Sequence, residues 1–383
     1  LALLVSCSTP NVTEKTPVDY VNPYMGNISH LLVPTFPTIH LPNSMLRVYP
    51  ERPDYTSDQI KGLPLIVTSH RGSSAFNLSP YQGREETLRP VVNYTYDNEV
   101  IKPYYYRVYL DEQNTDIKYA PSYQSAQYLI SYEKDASVYL ILNSKNGAMR
   151  VNDNTVSGYQ QLENNTRVYL YLETENKPEK TGVLQDNKLN TELDTIRGNN
   201  ACVALYFGDK AQVQKIRYGI SFISEEQAKS NMEREQKFYD VNALAEAGKK
   251  VWNDALGKIE VQSPDENEKT IFYTSLYRCY ERPVNISEDG RYFSAFDGKV
   301  HEDGGNAFYT DDWIWDTYRA THPLRVLIDT LTETNVIRSY ILMAEQMGDM
   351  WMPTFPEITG DSRRMNSNHA VATVADAYAK GLR

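Results

Sequence analysis

Two kinds of hydrophobic spacing divide the chain. From residue 19 to 222 the apolar residues come in short runs, among them "MLRVYP", "YYYRVYLD", "AQYLISYE", "ASVYLILN", "TRVYLYLE" and "ACVALYFG". Each is a strand's length of Val, Tyr, Ile and Leu, several alternate with polar positions, and Gly, Pro, Asn and Asp punctuate the gaps. A period of two buries one face of a strand, and many short strands separated by turn residues predict an antiparallel β-sandwich. At "FISEEQAKSNMEREQKFYDVNALAEAGKKVWNDALGKIEV" the period lengthens to that of a helix. Ser224 with Gln227 three residues on is a capping-box signature, Glu225 and Glu226 suit the positive end of a helix dipole, and Gly257 closes the run.

The helical pattern then persists to the end. "NEKTIFYTSLYRCYE" predicts one helix, and "DDWIWDTYRATHPLRVLIDTL" another that Pro323 bends or divides. "ETNVIRSYILMAEQM" places Val336, Ile337, Tyr340, Ile341, Ala344 and Met347 on one stripe, and "NHAVATVADAYAKGLR" begins a further helix. The expected architecture is multidomain, β then α: a tether at 1–18, a sandwich at 19–222, a helical linker at 223–262 and the first part of a helical domain at 263–383. The Ala-rich final pattern has no partner helices to close a domain, so a truncated domain is expected.

Composition narrows the function. A chain of 383 residues exceeds one ordinary core, and 41% hydrophobic with 23% charged residues describes a folded protein. The net charge of −11 excludes the basic face that nucleic-acid binding requires. No apolar run reaches the roughly 20 residues of a membrane span. Thirty tyrosines against ten phenylalanines give surfaces with an apolar body and a polar tip, suited to sugars and interfaces. The opening "LALLVSC" looks like the end of a bacterial lipoprotein signal cut before Cys7, with polar "STPNVTEKTP" as the tether. On that reading Cys7 carries lipid and the protein is exported, anchored in the periplasm or at the outer-membrane surface. The anchor is then its only membrane contact, and Cys202 and Cys279 remain buried thiols. No Gly-rich phosphate loop, His-Glu-x-x-His or Gly-x-Ser-x-Gly motif supports nucleotide, zinc or serine-hydrolase chemistry.

The run "NEKTIFYTSLYRCYERPVNISEDGRYFSAFDGKVHEDGGNAFYTDDWIWDTYRATHPLRVLI", followed by "MWMPTFPEITGDSRRMNSNHAVATVADAYAKGLR", resembles glycoside hydrolase family 92. These are bacterial exo-acting α-mannosidases, mostly calcium-dependent and inverting. "DYVNPYMGN" and "TFPTIHLPNSMLRVYP" are similar to the family's opening motifs, but the usual Pro-Phe-Gly-Met reads Pro42, Asn43, Ser44, Met45, and "TSHRGSSAFNLSPYQG" departs too. The resemblance implies a sandwich packed on an (α/α)6 barrel with the active site between them. It also implies a mannose-containing glycan as partner and a calcium cofactor whose ligands the sequence does not identify. Inverting hydrolysis needs two carboxyl groups about 6.5–9.5 Å apart, and the resemblance implies that both lie beyond Arg383.

What this chain offers is a candidate sugar-binding floor. In one continuous helix Asp312, Trp315, Asp316 and Arg319 would share a face. Asp311 or Asp312 would accept hydrogen bonds from sugar hydroxyls, Trp315 would provide a packing face, and Arg319 would fix Asp316. The same residues also describe a helix start, with Asp311 capping, Asp312 complementing the dipole and Asp316–Arg319 as a surface pair. Asn368 and His369 stand ahead of a helix, where free N–H groups converge on ligands, and the resemblance places the loop of His70 near the sugar. Glu357 reads as a solvated loop carboxylate, and His30 and His40 are weaker candidates. The alternative to a glycosidase is a lipid-anchored carbohydrate-binding protein of the same architecture, motivated by the departures near Asn43 and His70.

Overall fold

Alternating burial along each strand builds two facing antiparallel sheets. The computed structural model describes residues 14–26, 35–52, 57–68, 74–210, 212–365 and 368–383. Cys7, His30 and His70 lie outside these residues. The first sheet has six strands, with Ala201–Tyr206 and Val138–Ser144 at its centre. The second has ten, from Thr195–Gly198 at one edge to Gln59–Lys61 at the other, with Val213–Ser221 and Ser125–Tyr132 in the middle. In Arg167–Thr174, Val168, Leu170 and Leu172 point inward while Tyr169 and Tyr171 are half-buried. Leu140, Leu142, Val203 and Leu205 of the smaller sheet meet Ile117, Ile130, Leu170 and Ile216 of the larger in one core. Val138–Ser144 is buried on both faces because Leu88 and Leu184 cover Ile141, Cys202 and Ala204 on its outer side. Burial pushes the Cys202 thiol up, and Cys202 and half-buried Cys279 are both free.

The linker begins and ends where its signals predict, but as two helices rather than one run. Helix α1 (Glu225–Glu235) starts at Ser224, whose side chain accepts the Gln227 N–H at 3.1 Å, and α2 (Val241–Leu256) ends at Gly257. They are a wall rather than a spacer, since both pack on the larger sheet. Asn231 Nδ2 donates to the Ile220 carbonyl at 2.8 Å, and Arg217 to the Gln236 carbonyl at 2.7 Å. Trp252 of α2 is fully buried and donates to the His40 carbonyl at 2.7 Å. Around it Leu41, Leu256, Leu276 and Tyr277 make a second core that joins sandwich, linker and α3 (Glu266–Cys279).

Beyond α3 the chain forms α4 (Ile314–Thr317), α5 (Thr321–Ile328), α6 (Thr330–Met347) and α7 (His369–Ala379). The continuous helix expected from Asp311 does not form. Asp311 has a φ of 61°, in the left-handed region that no α-helix residue occupies, and the helical turns begin only after Trp313. Pro323 divides nothing: it sits in the first turn of α5, where a missing N–H costs no helical hydrogen bond. In α6 the buried stripe is Glu333, Val336, Tyr340, Met343 and Ala344, while Ile341 is exposed. The face is rotated by about one position because the polar Glu333 and Ser339 have inward partners.

Where sandwich, α1 and the chain after α3 meet, Glu288 is fully buried and accepts from the Phe222 N–H at 2.8 Å and Asn231 Nδ2 at 2.7 Å. Burial dominates and pushes its carboxyl from an ordinary 4.5 to about 7, against these hydrogen bonds. Between those values the folded state holds a proton that the unfolded state has lost, so stability falls as pH rises through the interval. Whatever Glu288→Gln costs at pH 5 should therefore shrink by about 1–3 kcal/mol at pH 8. Urea melts of both proteins at the two pH values measure this, and a pH-independent difference would refute the buried, protonated carboxyl.

Candidate active site

The site forms where the sandwich segment 35–52 meets the end of α3 and the chain from 309 to 323. Val284–Asn285 pairs antiparallel with Tyr309–Thr310, and the Asp312 N–H donates to the Pro356 carbonyl at 2.9 Å. Backbone held from both sides thus carries the two aspartates. Asp311 is 1% exposed, and one of its oxygens accepts from both Arg47, on the sandwich strand Arg47–Val48, and Arg282, just past α3. The Arg282 guanidinium lies 4.5 Å from the centre of the Trp313 ring.

Asp312 turns the other way, into the helices, and is fully buried. His322 Nε2 lies 2.8 Å from it, Thr317 donates to it at 3.1 Å, and the Tyr340 hydroxyl donates to it as well. The other ring nitrogen of His322 lies 2.9 Å from Glu333. An imidazole is thereby clamped between two buried carboxylates. Burial disfavours its charged form, but Asp312 and Glu333 outweigh that and lift His322 to about 9. Burial likewise raises Asp312, yet His322 and Tyr340 hold it below the ordinary carboxylate range.

Trp315 and Asp316 stand on the outer side of α4, Trp315 with 43% of its surface exposed. Partial burial first, and the charge of Asp312 second, raise the Asp316 carboxyl against the pull of Arg319. The Asp316 carboxylate makes no hydrogen bond or ion pair among the described residues, so the expected Asp316–Arg319 pair is not formed. Arg319 instead donates to the Tyr318 hydroxyl at 3.1 Å and lies over its ring. His369 opens α7 with its ring 4.0 Å from that of Tyr318, and exposed Asn368 precedes it without capping the helix. The structure therefore joins α4 and α7 through Tyr318 and His369, and separates inward Asp311 and Asp312 from outward Trp315 and Asp316. Glu357 is a paired, buried carboxylate rather than a solvated one. It is 9% exposed, lies 3.4 Å from Arg364, and its carbonyl accepts from Thr310.

Residue types alone did not single out Arg47, Arg282, His322, Glu333 or Tyr340. The one signal was a charged Glu333 on the apolar side of α6. A cavity of about 120 Å³ opens beside the cluster, between Phe36 of the sandwich and Arg278, Glu281, Arg282, Trp313 and Thr317. Burial raises the Glu281 carboxyl, but Arg278 and Arg282 outweigh it and hold the group below its usual range. The cavity thus offers a fixed acceptor, guanidinium donors and an indole, a combination that can grip hydroxyl groups. Among the described residues no group of three or more His, Cys, Asp or Glu side chains is placed to hold a metal ion. Asp311 and Asp312 are already committed to cationic partners, so these residues do not fit the implied calcium.

Asp311→Ala would leave two buried guanidiniums without their shared anion, and should cost about 3–5 kcal/mol in urea unfolding. An unchanged midpoint would show that the pair carries no weight. The His322 clamp has the same pH sense as Glu288 but acts in a more alkaline window. Its contribution is complete below about pH 6.5 and is lost as pH rises through about 9. His322→Gln should flatten that alkaline loss, read as the slope of unfolding free energy from pH 7 to 10.

The profile of the glycosyl hydrolase family 92 N-terminal domain matches residues 20–221, and that of the family's catalytic domain matches residues 227–383. Among solved structures, a family 92 inverting mannosidase from Bacteroides thetaiotaomicron superimposes with a TM-score of 0.87 at 25% identity, over 98% of this chain and 54% of that one. A second α-mannosidase of family 92 from the same organism, also solved with mannoimidazole, gives 0.87 at 21% identity, over 96% and 55%. Another family 92 glycosyl hydrolase gives 0.76 at 18% identity, over 94% and 56%. Among curated protein sequences none matches. The chain spans about half the length of these solved enzymes. With both domain profiles matched in order over nearly all of its residues, it belongs to glycosyl hydrolase family 92.

Proposed function

We propose that this chain is the sandwich and early-barrel part of an exo-acting α-mannosidase that hydrolyses mannose-containing glycans with inversion. The observation that carries the reading is its membership of family 92 across both domains, together with the fold shared with mannosidases. In this reading the helices begin an (α/α)6 barrel. The catalytic acid and base come from the part of the catalytic domain that lies outside these 383 residues. Trp315 gives the pyranose a face to pack on, and Asp316, with no partner among the described residues, accepts from its hydroxyls. Arg319, Asn368 and His369 line the same side. Asp311 and Asp312 act one layer below, as the struts that hold the Trp313–Thr317 turn in place.

Calcium, when bound, would polarise neighbouring sugar oxygens. Since the described residues do not fit it, its ligands belong to the remaining part of the domain under the same proposal. Export on a lipid attached to Cys7 also belongs to this reading. The substitution at Asn43 gives the binding-protein alternative little support. Asn43 is buried at a φ of 53°, which Asn tolerates, and donates to the Pro283 carbonyl at 2.6 Å, so packing absorbs the change.

The test is mannose release from α-1,2-mannobiose by the full gene product, with and without a chelator, with the anomer formed first read by NMR. Trp315→Ala and Asp316→Asn should each lower kcat/KM about 100-fold, about 2.7 kcal/mol, without moving the melting temperature. No mannose release under either condition would reject the enzyme and leave the binding protein.

A further inference from the structure

We propose a second saccharide-binding site, on the opposite side of the α3 terminus from the Trp313 cavity. A cleft of about 420 Å³ lies where three parts of the chain meet. Tyr123 comes from the sandwich turn after Thr115–Pro121, Asp254 from α2, Tyr280 from the end of α3, Tyr309 from the strand before Asp311, and Asp329 from the joint of α5 and α6. Successive residues divide the two spaces: Cys279 and Glu281 line the smaller cavity, and Tyr280 lines this one. The volume falls in the range of small-ligand sites, roughly 300–1,000 Å³.

The lining chemistry selects the ligand. Tyr123 is 44% exposed, and Tyr280 and Tyr309 add two further rings with polar tips. The Asp254 carboxylate has no hydrogen bond or ion pair among the described residues, whereas Asp329 is paired with Lys258 at 3.2 Å. Counting Asp254 and Asp329 against Lys258 leaves one net negative charge, which repels phosphates and carboxylates. Asn285 and Thr332 supply neutral polar groups at the same wall. An aromatic face for ring C–H groups and a free carboxylate to accept from neighbouring hydroxyls fit a neutral hexose. A small organic cation is the competing occupant that the same charge would admit, and the choline arm of the titration decides between them.

Naming a saccharide rests on the proposed function, so the experiment separates the two. Isothermal titration of α-1,2-mannobiose is made into the Trp315→Ala protein, where the first site is weakened, and into the same protein carrying Tyr123→Ala and Asp254→Asn. Both added substitutions are at exposed positions. Saturable binding that survives Trp315→Ala and weakens at least tenfold on the added changes is expected. Absence of binding in the Trp315→Ala protein, binding indifferent to Tyr123 and Asp254, or tighter binding of choline than of the disaccharide would each overturn it. Mannose release by the otherwise unaltered enzyme reads the proposed function independently, and Tyr123→Ala with Asp254→Asn should leave release from a simple aryl α-mannoside within twofold.

Discussion

A single buried carboxylate sets the geometry where sandwich and helices meet. Asp311 brings together a guanidinium from the sandwich and another from the turn after α3, two parts of the chain with little sequence in common and no covalent closeness. Removing three charges from water is expensive, and the arrangement is tolerable only because each arginine keeps donating within reach of the same oxygen. The geometry demands that the Asp311 side chain point back toward the sandwich while the chain continues away from it. A left-handed backbone at this residue meets that demand. The broken helix is thus a consequence of the ion pair: a helix starting at Asp311 could not present its carboxylate to Arg47.

The neighbouring residue then faces the other way, and a second charged layer follows. Asp312, His322 and Glu333 alternate in sign through the space between the chain at 312, α5 and α6, and Tyr340 closes the row. With these two adjacent carboxylates pulled inward, the next exposed positions are Trp315 and Asp316. The charge of Asp312 also reaches Asp316 and contributes to its raised affinity for a proton. Buried structure and exposed chemistry are coupled through that one electrostatic step.

What could be read from the residues and what could not follow from the range of the forces involved. Strand alternation in "TRVYLYLE" and the cap at Ser224 are local, decided within a few residues, and the folded chain keeps them. The Asp311–Arg47 pair spans 264 residues, and nothing near either residue announces it. In "DDWIWDTYRATHPL" the spacing is compatible with a helix, so periodicity alone could not reveal that a distant arginine reverses the backbone at its start. The stripe on α6 failed in a smaller way. Counting only apolar residues left out Glu333 and Ser339, whose inward hydrogen bonds turn the helix. Trp315 was read as a packing face, and its ring is exposed, whereas the role of Asp312 needed His322 and Tyr340 in view.

The sandwich and the helices share one core across the boundary between them. Val284, Tyr309, Ile314, Val336, Tyr340 and Ala370 belong to the same continuous core as the facing strands of the sandwich. Trp252 fastens α2 to the carbonyl of His40, so the linker belongs to the interface rather than spanning it. A hinge between sandwich and helices would have to open this core and separate Asp311 from Arg47 together, each at a cost of several kcal/mol. A hinge between sandwich and helices is therefore costly within this chain. Under the proposed function, this part of the chain tunes glycan selectivity through the exposed Trp315, Asp316 and Arg319, where changes of residue leave the charged struts beneath them intact.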